Sequence, residues 1–403
     1  MLSEKDIEKL IQPILDRQGK INTYVINKIA QRVKEIGKLL PSDVYRLERL
    51  LKSGSDVREI NKEISRLTGL NERDIKQLIK TVAKDSYLDT KPYFDYRHKS
   101  FIPFEENIPL QNVIKSISRQ TAETYVNLSR SRAFMIRDLK NPGKLIPTPL
   151  SKAYYSIVDE AIQASQSGVI DYGTAMRRTL QQLSESGIQT IEYNPESGKK
   201  YHQTLEAATK RNLLDGIRQI NQGVQDEVGK QYGADGKEIT VHEHSAPDHE
   251  PIQGHQFTNE EYDKLQGGIP FEDVNGRQFG AIERSIGEYN CRHFTYSIII
   301  GINKPNFTQE ELDANIERNH KGYTDSKGKH RTLYECTQEQ RKMERKIRQA
   351  KQNIVTGKAS GNEQLLNKGQ ADLRNWRKEY SAFSSACGLP KKPLNVKVQG
   401  FTK

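Results

Sequence analysis

The stretch TLEAATKRNLLDGIRQINQGVQDEVGKQYGADGKEITVHEH, Thr204–His244, changes its hydrophobic period partway along. Leu213, Ile217, Ile220, Val224 and Val228 recur three and four residues apart, which is one face of an α-helix. After Gly233 and a polar turn, Ile239 and Val241 alternate with polar residues, as on a half-buried strand. A helix that feeds directly into a strand argues for an α+β chain. If the strand runs on through His244, then His242 and His244 share the face opposite Val241, about 7 Å apart.

Upstream the texture is helical. DIEKLIQPILDR spaces Ile7, Leu10, Ile11, Ile14 and Leu15 on one stripe. SDVREINKEISRLTG predicts a capped helix ending at Gly69, with Val57, Ile60 and Ile64 aligned, and LNERDIKQLIKTVAKD predicts another. Residues 1–90 therefore read as a helical N-terminal domain of short helices. In 91–110 prolines and aromatics alternate with charges, which predicts an extended linker or arm. Residues 111–304 read as a central α+β domain. NVIKSISRQTAETYVNLSRSRAFMIRD predicts one long helix there, LSKAYYSIVDEAIQASQSG and DYGTAMRRTLQQLSESG two more, each closed by glycine, and IQTIEYNPESGKK a short strand and turn.

Residues 305–403 read as a basic C-terminal helical hairpin and tail. Leu333, Cys336, Gln340, Met343, Ile347, Ala350 and Ile354 fall alternately three and four apart, a heptad-like seam. TGKASGN, Thr356–Asn362, is expected to break the helix; beyond it Leu366, Leu373, Trp376, Tyr380 and Phe383 form the facing stripe, and Arg341, Lys342, Arg345, Lys346 and Arg348 crowd the outer side. The fold class expected is α+β, predominantly helical.

The chain has 403 residues, 34% hydrophobic and 29% charged, with a net charge of +11. Cores should be thin, and polyanions or acidic surfaces are favoured partners. Three widely spaced cysteines, Cys291, Cys336 and Cys387, argue against a disulfide framework and for a reducing compartment or a metal role. The first twenty residues lack a signal-peptide apolar region, and the run YSIIIGI is far too short for a bilayer, so a soluble protein without membrane contact is expected.

HEHSAPDHEPIQGHQF, His242–Phe257, holds four of the nine histidines, and His293 follows Cys291 in YNCRHF. Imidazole and thiolate are the ligand types zinc prefers. His242, His244, His249, His255, Cys291 and His293 are thus candidate metal ligands, a subset of which would close a structural zinc site. Asp248 could orient a ligating histidine. The alternative is a hydrogen-bonded knot in which histidines meet backbone carbonyls and Cys291 is a small buried residue. There is no CxxC, HExxH or finger spacing, and no phosphate-binding glycine loop. A hydrolytic zinc centre would need an open position and a base, for which Glu243, Asp248 and Glu250 are candidates. A Cys291–His293 pair could mimic a thiol nucleophile. His98, His202, His320 and His330 are set aside.

VHEHSAPDHEPIQGHQF, IGEYNCRHFTYSIIIGI and LYECTQEQRKMERKIRQAK together resemble the tailed-bacteriophage minor capsid protein family, related to Mu-F-like head-morphogenesis proteins. The matching signature is His242 and His244, then Asp248-His249, Gln253-Gly254 and Asn290 to His293, followed by the helix Tyr334 to Arg348 and the GLP near Gly388. Many relatives carry Arg-Pro where this chain has Ala246-Pro247. The resemblance implies a structural virion component inside the head near the portal, aiding head assembly and DNA packaging or ejection. Its partners would be the portal protein, other phage head proteins and packaged DNA, the last met by the basic helices. It would be made in the host cytoplasm and would not be an enzyme. A metal-dependent hydrolase or nuclease is the alternative.

Overall fold

The computed structural model describes residues 2, 4–38, 54–138, 141, 143–167, 172–193, 200–273, 276–282, 284–287 and 291–402. In chain order the elements begin with helices α1 (Glu4–Ile36), α2 (Ser55–Leu88), the short α3 (Lys91–Tyr96) and α4 (Ile108–Arg130). Strands β1 (Arg132–Arg137) and β2 (Leu145–Pro149), helices α5 (Leu150–Ser167) and α6 (Tyr172–Ser186), and strands β3 (Gln189–Tyr193) and β4 (Lys200–Thr204) follow. Then come α7 (Leu205–Tyr232), β5 (Gly236–Ile239), β6 (Gln256–Thr258), α8 (Asn259–Gln266), β7 (Phe271–Glu272), β8 (Gln278–Phe279) and β9 (Thr295–Ile298). The chain closes with α9 (Gln309–Lys321), β10 (Tyr323–Thr324), β11 (His330–Arg331), α10 (Leu333–Ser360) and α11 (Glu363–Ala386). The protein is predominantly helical α+β, with small antiparallel sheets.

Two compact units share the chain. The first comprises Met1–Ile11, Asp74–Ala122 and Arg211–Glu339, and the second Gln12–Arg73, Glu123–Lys210 and Gln340–Lys403. In the second, β2-β1-β3-β4 form an antiparallel sheet. Its core gathers Val25, Ile26 and Ile29 from α1, Ile60 and Ile64 from α2, Phe134 from β1, and Tyr154, Ile157 and Val158 from α5. The helical hairpin forms, with α10 continuing through most of the expected break at TGKASGN as far as Ser360. Ile347, Ala350 and Ile354 of α10 pack with Leu373 and Tyr380 of α11. A Cβ on Gly369 would lie 2.9 Å from Ile354 Cγ1 and 3.0 Å from Ala350 O, so glycine here eases the close approach of two helix backbones.

In the first unit the helices α2, α4 and α7 meet where Gly216 faces Thr121 and Ile79 and Gly223 faces Val113 and Ile117. The stripe Leu213, Ile217, Ile220, Val224 and Val228 is buried. Within 91–110, Phe101 stacks on Tyr87 and Phe104 meets Tyr87 at a tilt, while Phe94 lies edge-on to both Phe101 and Tyr232. The three-stranded sheet β6-β5-β9 lies on α7, whose Gln222 Oε1 accepts the Thr295 N–H at 2.9 Å and whose Gln225 Oε1 accepts the Ser297 N–H at 3.2 Å.

Three local expectations are corrected. Helix α2 runs straight through Gly69, because buried Ile60, Ile64 and Leu67 before it and Ile75, Leu78 and Ile79 after it keep one helical stripe. A mid-helix glycine costs only about 0.5–1 kcal/mol, less than that continuity supplies. The segment RAFMIR leaves the helix and becomes β1, since it finds antiparallel partners in both β2 and β3. Strand β5 stops at Ile239, so His242 and His244 are not same-face strand neighbours. His244 adopts φ +56, which a strand cannot contain.

Candidate metal centre

Antiparallel pairing decides which distant residues meet. Ile239, the last residue of β5, sits opposite Thr295, the first of β9. The chain leaving β5 and the chain entering β9 therefore lie side by side, and Thr240 extends the pairing by donating its N–H to Phe294 O at 3.0 Å. The segments 240–255 and 291–294 share this end of the sheet.

The loop after β5 is shaped to return. Ala246 O accepts the N–H groups of His249 and Glu250, both at 3.0 Å, and His249 O accepts from Gln253 at 3.3 Å. The Gly254 N–H then reaches back to Ile239 O at 2.9 Å. Gly254 holds φ +77, and a Cβ there would lie 2.5 Å from Leu312 Cδ2. Glycine is thus required both by the left-handed backbone and by space. Beside it, Gln253 Oε1 accepts the His242 N–H at 3.0 Å. The Gln-Gly pair of the sequence signature thereby closes the loop from inside.

Three donors converge in the interior of this loop. His249, Cys291 and His293 are buried, and one ligand atom from each lies within 4.8 Å of the other two. Cys291 Sγ is 3.4 Å from Nδ1 of His249 and 3.4 Å from Nδ1 of His293. The other ring nitrogens face carbonyl oxygens, which only accept. His249 Nε2–H therefore donates to Arg284 O at 2.8 Å, and His293 Nε2–H donates to Gln253 Oε1 at 3.4 Å. In their neutral forms both imidazoles turn an Nδ1 lone pair toward the same sulfur. Outer carbonyls that fix the ring orientation in this way are the usual support of metal-ligating histidines.

The electrostatics weaken proton binding at Cys291 and His293 and strengthen it at His249. Burial pushes the Cys291 thiol up and the His249 imidazole down. Hydrogen bonds and charge together outweigh burial in both: His249 and the backbone at Gly287 bring the thiol below its ordinary value, and Cys291, the Arg284 carbonyl and Asp248 bring the imidazole above. Burial, followed by charge on His242 and His249, drives His293 down to about 2, and it stays neutral.

The remaining sequence candidates lie around these three. The His242 ring meets that of His293 edge-on, centroids 4.6 Å apart. His244 sits in the turn, half-buried. His255 turns elsewhere, accepting from Arg277 Nη1 at 2.9 Å and lying edge-on to Phe279. Asp248 does not orient a histidine. It takes a two-point contact from Arg284, Nε–Oδ2 at 2.6 Å and Nη2–Oδ1 at 2.7 Å, and its Oδ2 stays 3.7 Å from His249 Nε2. Glu250 is held by Asn319 Nδ2 at 2.7 Å and His320 Nε2 at 2.8 Å, and Glu243 is exposed. Asn290 lies outside the described residues. Sequence reasoning passed over Arg284 and His320. Arg284 serves the site with its carbonyl as well as its side chain, and nothing in its sequence neighbourhood marks either role.

The loop and its neighbours belong to a match that runs almost the length of the chain. Residues 2–384 fit the family model described as phage minor capsid protein 2. The chain belongs to the phage minor capsid protein 2 family. This minor capsid protein is accordingly a structural component of a phage head, placed in the virion and assembled with other head proteins. No curated protein matches it, and no solved structure does. Among the described residues of the minor capsid protein, no helix is long and apolar enough to cross a membrane.

Proposed function

We propose that this minor capsid protein works inside the head beside the portal, supporting head assembly and DNA packaging or ejection, and that its C-terminal hairpin and tail contact packaged DNA. Charge placement carries this reading. Residues 340–403 hold 15 Lys and Arg against 4 Asp and Glu, an excess of +11 that equals the net charge of the whole chain. The rest of the chain balances at 48 of each sign. On the hairpin, Arg341, Lys342, Arg345 and Lys346 of α10 and Arg374, Arg377 and Lys378 of α11 are exposed while the apolar stripes face inward. Such a surface meets phosphates without reading sequence.

The role is structural rather than hydrolytic. Two of the three candidate bases, Asp248 and Glu250, are already held by Arg284 and by Asn319 with His320, and the His249–Cys291–His293 group is buried. A hydrolytic centre needs an open coordination position and an available base.

Binding of the full chain to unrelated DNA duplexes over a salt series tests the DNA contact. The affinity should fall with a log–log slope of about −0.9 for each phosphate met. The variant Arg341→Ala/Arg345→Ala/Lys346→Ala should make that slope shallower by up to about 3. A flat salt response removes the DNA contact. Cross-linking mass spectrometry on proheads should join this chain to the portal, and a chain missing from purified proheads and virions would refute the location.

A further inference from the structure

His249, Cys291 and His293 have more lone pairs than protons between them. Both Nε2–H bonds are committed to carbonyls, and both Nδ1 atoms face one sulfur at 3.4 Å. A single proton, carried by the sulfur or by one ring, serves only one of the two S···N contacts. The other brings two lone pairs together inside the protein, where an unmet acceptor is destabilising. A cation at the point of convergence satisfies all three donors at once. The spacing suits it. With metal–sulfur bonds of about 2.3 Å and metal–nitrogen bonds of about 2.0–2.1 Å, tetrahedral bonding sets sulfur and nitrogen about 3.5 Å apart. Two imidazoles and a thiolate are a borderline-soft set, which selects zinc over magnesium or calcium.

We propose that His249, Cys291 and His293 form a structural zinc site that ties the loop after β5 to the segment entering β9. The fourth position falls to His242, whose ring already meets that of His293. The site is independent of where in the head the protein resides.

Elemental analysis of tag-free full-length protein, purified without chelator and dialysed, is the direct test. One zinc per chain is expected, lost in Cys291→Ser and kept in His98→Ala and His255→Ala. Chelation should lower the Tm, and added zinc should restore it. Because Cys291→Ser could fail to fold, a second readout uses the unaltered chain. Cobalt added to the chelated protein should give thiolate-to-cobalt charge-transfer absorption and the intense visible bands of a tetrahedral site. Zinc at the buffer-blank level together with no charge-transfer band, or zinc fully retained in a folded Cys291→Ser, would overturn the proposal.

Discussion

In the second unit, Val25, Ile26, Ile29, Phe134, Tyr154 and Val158 belong to one buried, largely apolar cluster. Around β5 and β9 of the first unit, Ile239, Phe257 and Cys291 are instead buried together with Glu238, His249, Glu250, Gln253, Asp273 and His293. The first kind of core rests on non-directional burial and accepts side chains of similar volume. The second rests on named donor–acceptor pairs, each of which must stay matched. A chain with only 34% hydrophobic residues cannot build both units the first way. The polar loop region is also where the signature residues of the family resemblance collect.

The difference is best attacked at one position in each region. Phe134 is fully buried. Phe134→Ala should cost about 3–5 kcal/mol by cavity formation, and Phe134→Leu should recover most of it. Urea midpoints at constant m-value check both, and equal losses for the two variants would mean the core is not tolerant in the way described. In the loop a single methyl should do comparable harm. Gly254→Ala adds left-handed strain of about 1–2 kcal/mol to an overpacking cost of about 1–3 kcal/mol against Leu312. Hydrogen exchange should report it as lost protection at Gly254 and His242, whose amides close the loop.

A smaller effect is expected at the helix that supplies the partners of Glu250. Helix α9 starts on a capping box in which Thr308 and Glu311 exchange hydrogen bonds. Thr308→Ala should cost about 1 kcal/mol, and Thr308→Ser almost nothing. Thermal unfolding of the pair of variants separates cap loss from any general effect of the position.

The smallest expected effect is a pH dependence in the apolar region. Burial alone would raise the Asp56 carboxyl, but hydrogen bonds from Tyr154 and then Arg32 hold it below the usual carboxylate range. A carboxyl depressed in the folded state stabilises fully above its unfolded value, and that contribution is lost as pH falls through the folded value. Acid titration of stability should therefore show a component below about pH 4 that Asp56→Asn removes. An unchanged acid limb in the variant would mean the Arg32–Asp56–Tyr154 group contributes nothing.

Helices with a clean apolar period were legible, as the stripes of α7, α10 and α11 show, because that period depends only on local geometry. Gly69 and RAFMIR were misleading for the opposite reason. Helix continuity at Gly69 is decided by neighbours that bury both flanks, and RAFMIR becomes a strand only because two partners exist for it. At the site, the histidine excess and Cys291 were visible as candidates, but the sequence offered six donors with no way to rank them. The supporting groups were harder still. Arg284 contributes a backbone carbonyl, which every residue has, and Gln253 acts through an amide oxygen whose target lies across a turn.

By itself the sequence determined the α+β class, the basic C-terminal hairpin and, through its signature, the kinship with phage minor capsid proteins. These follow from composition, period and residue identity, which are properties of the chain before it folds. Only the tertiary structure decided that His249, Cys291 and His293 meet while His244 and His255 do not. That outcome rests on the antiparallel register of β5 and β9 and on the left-handed turn at Gly254, which bring together residues far apart in the chain.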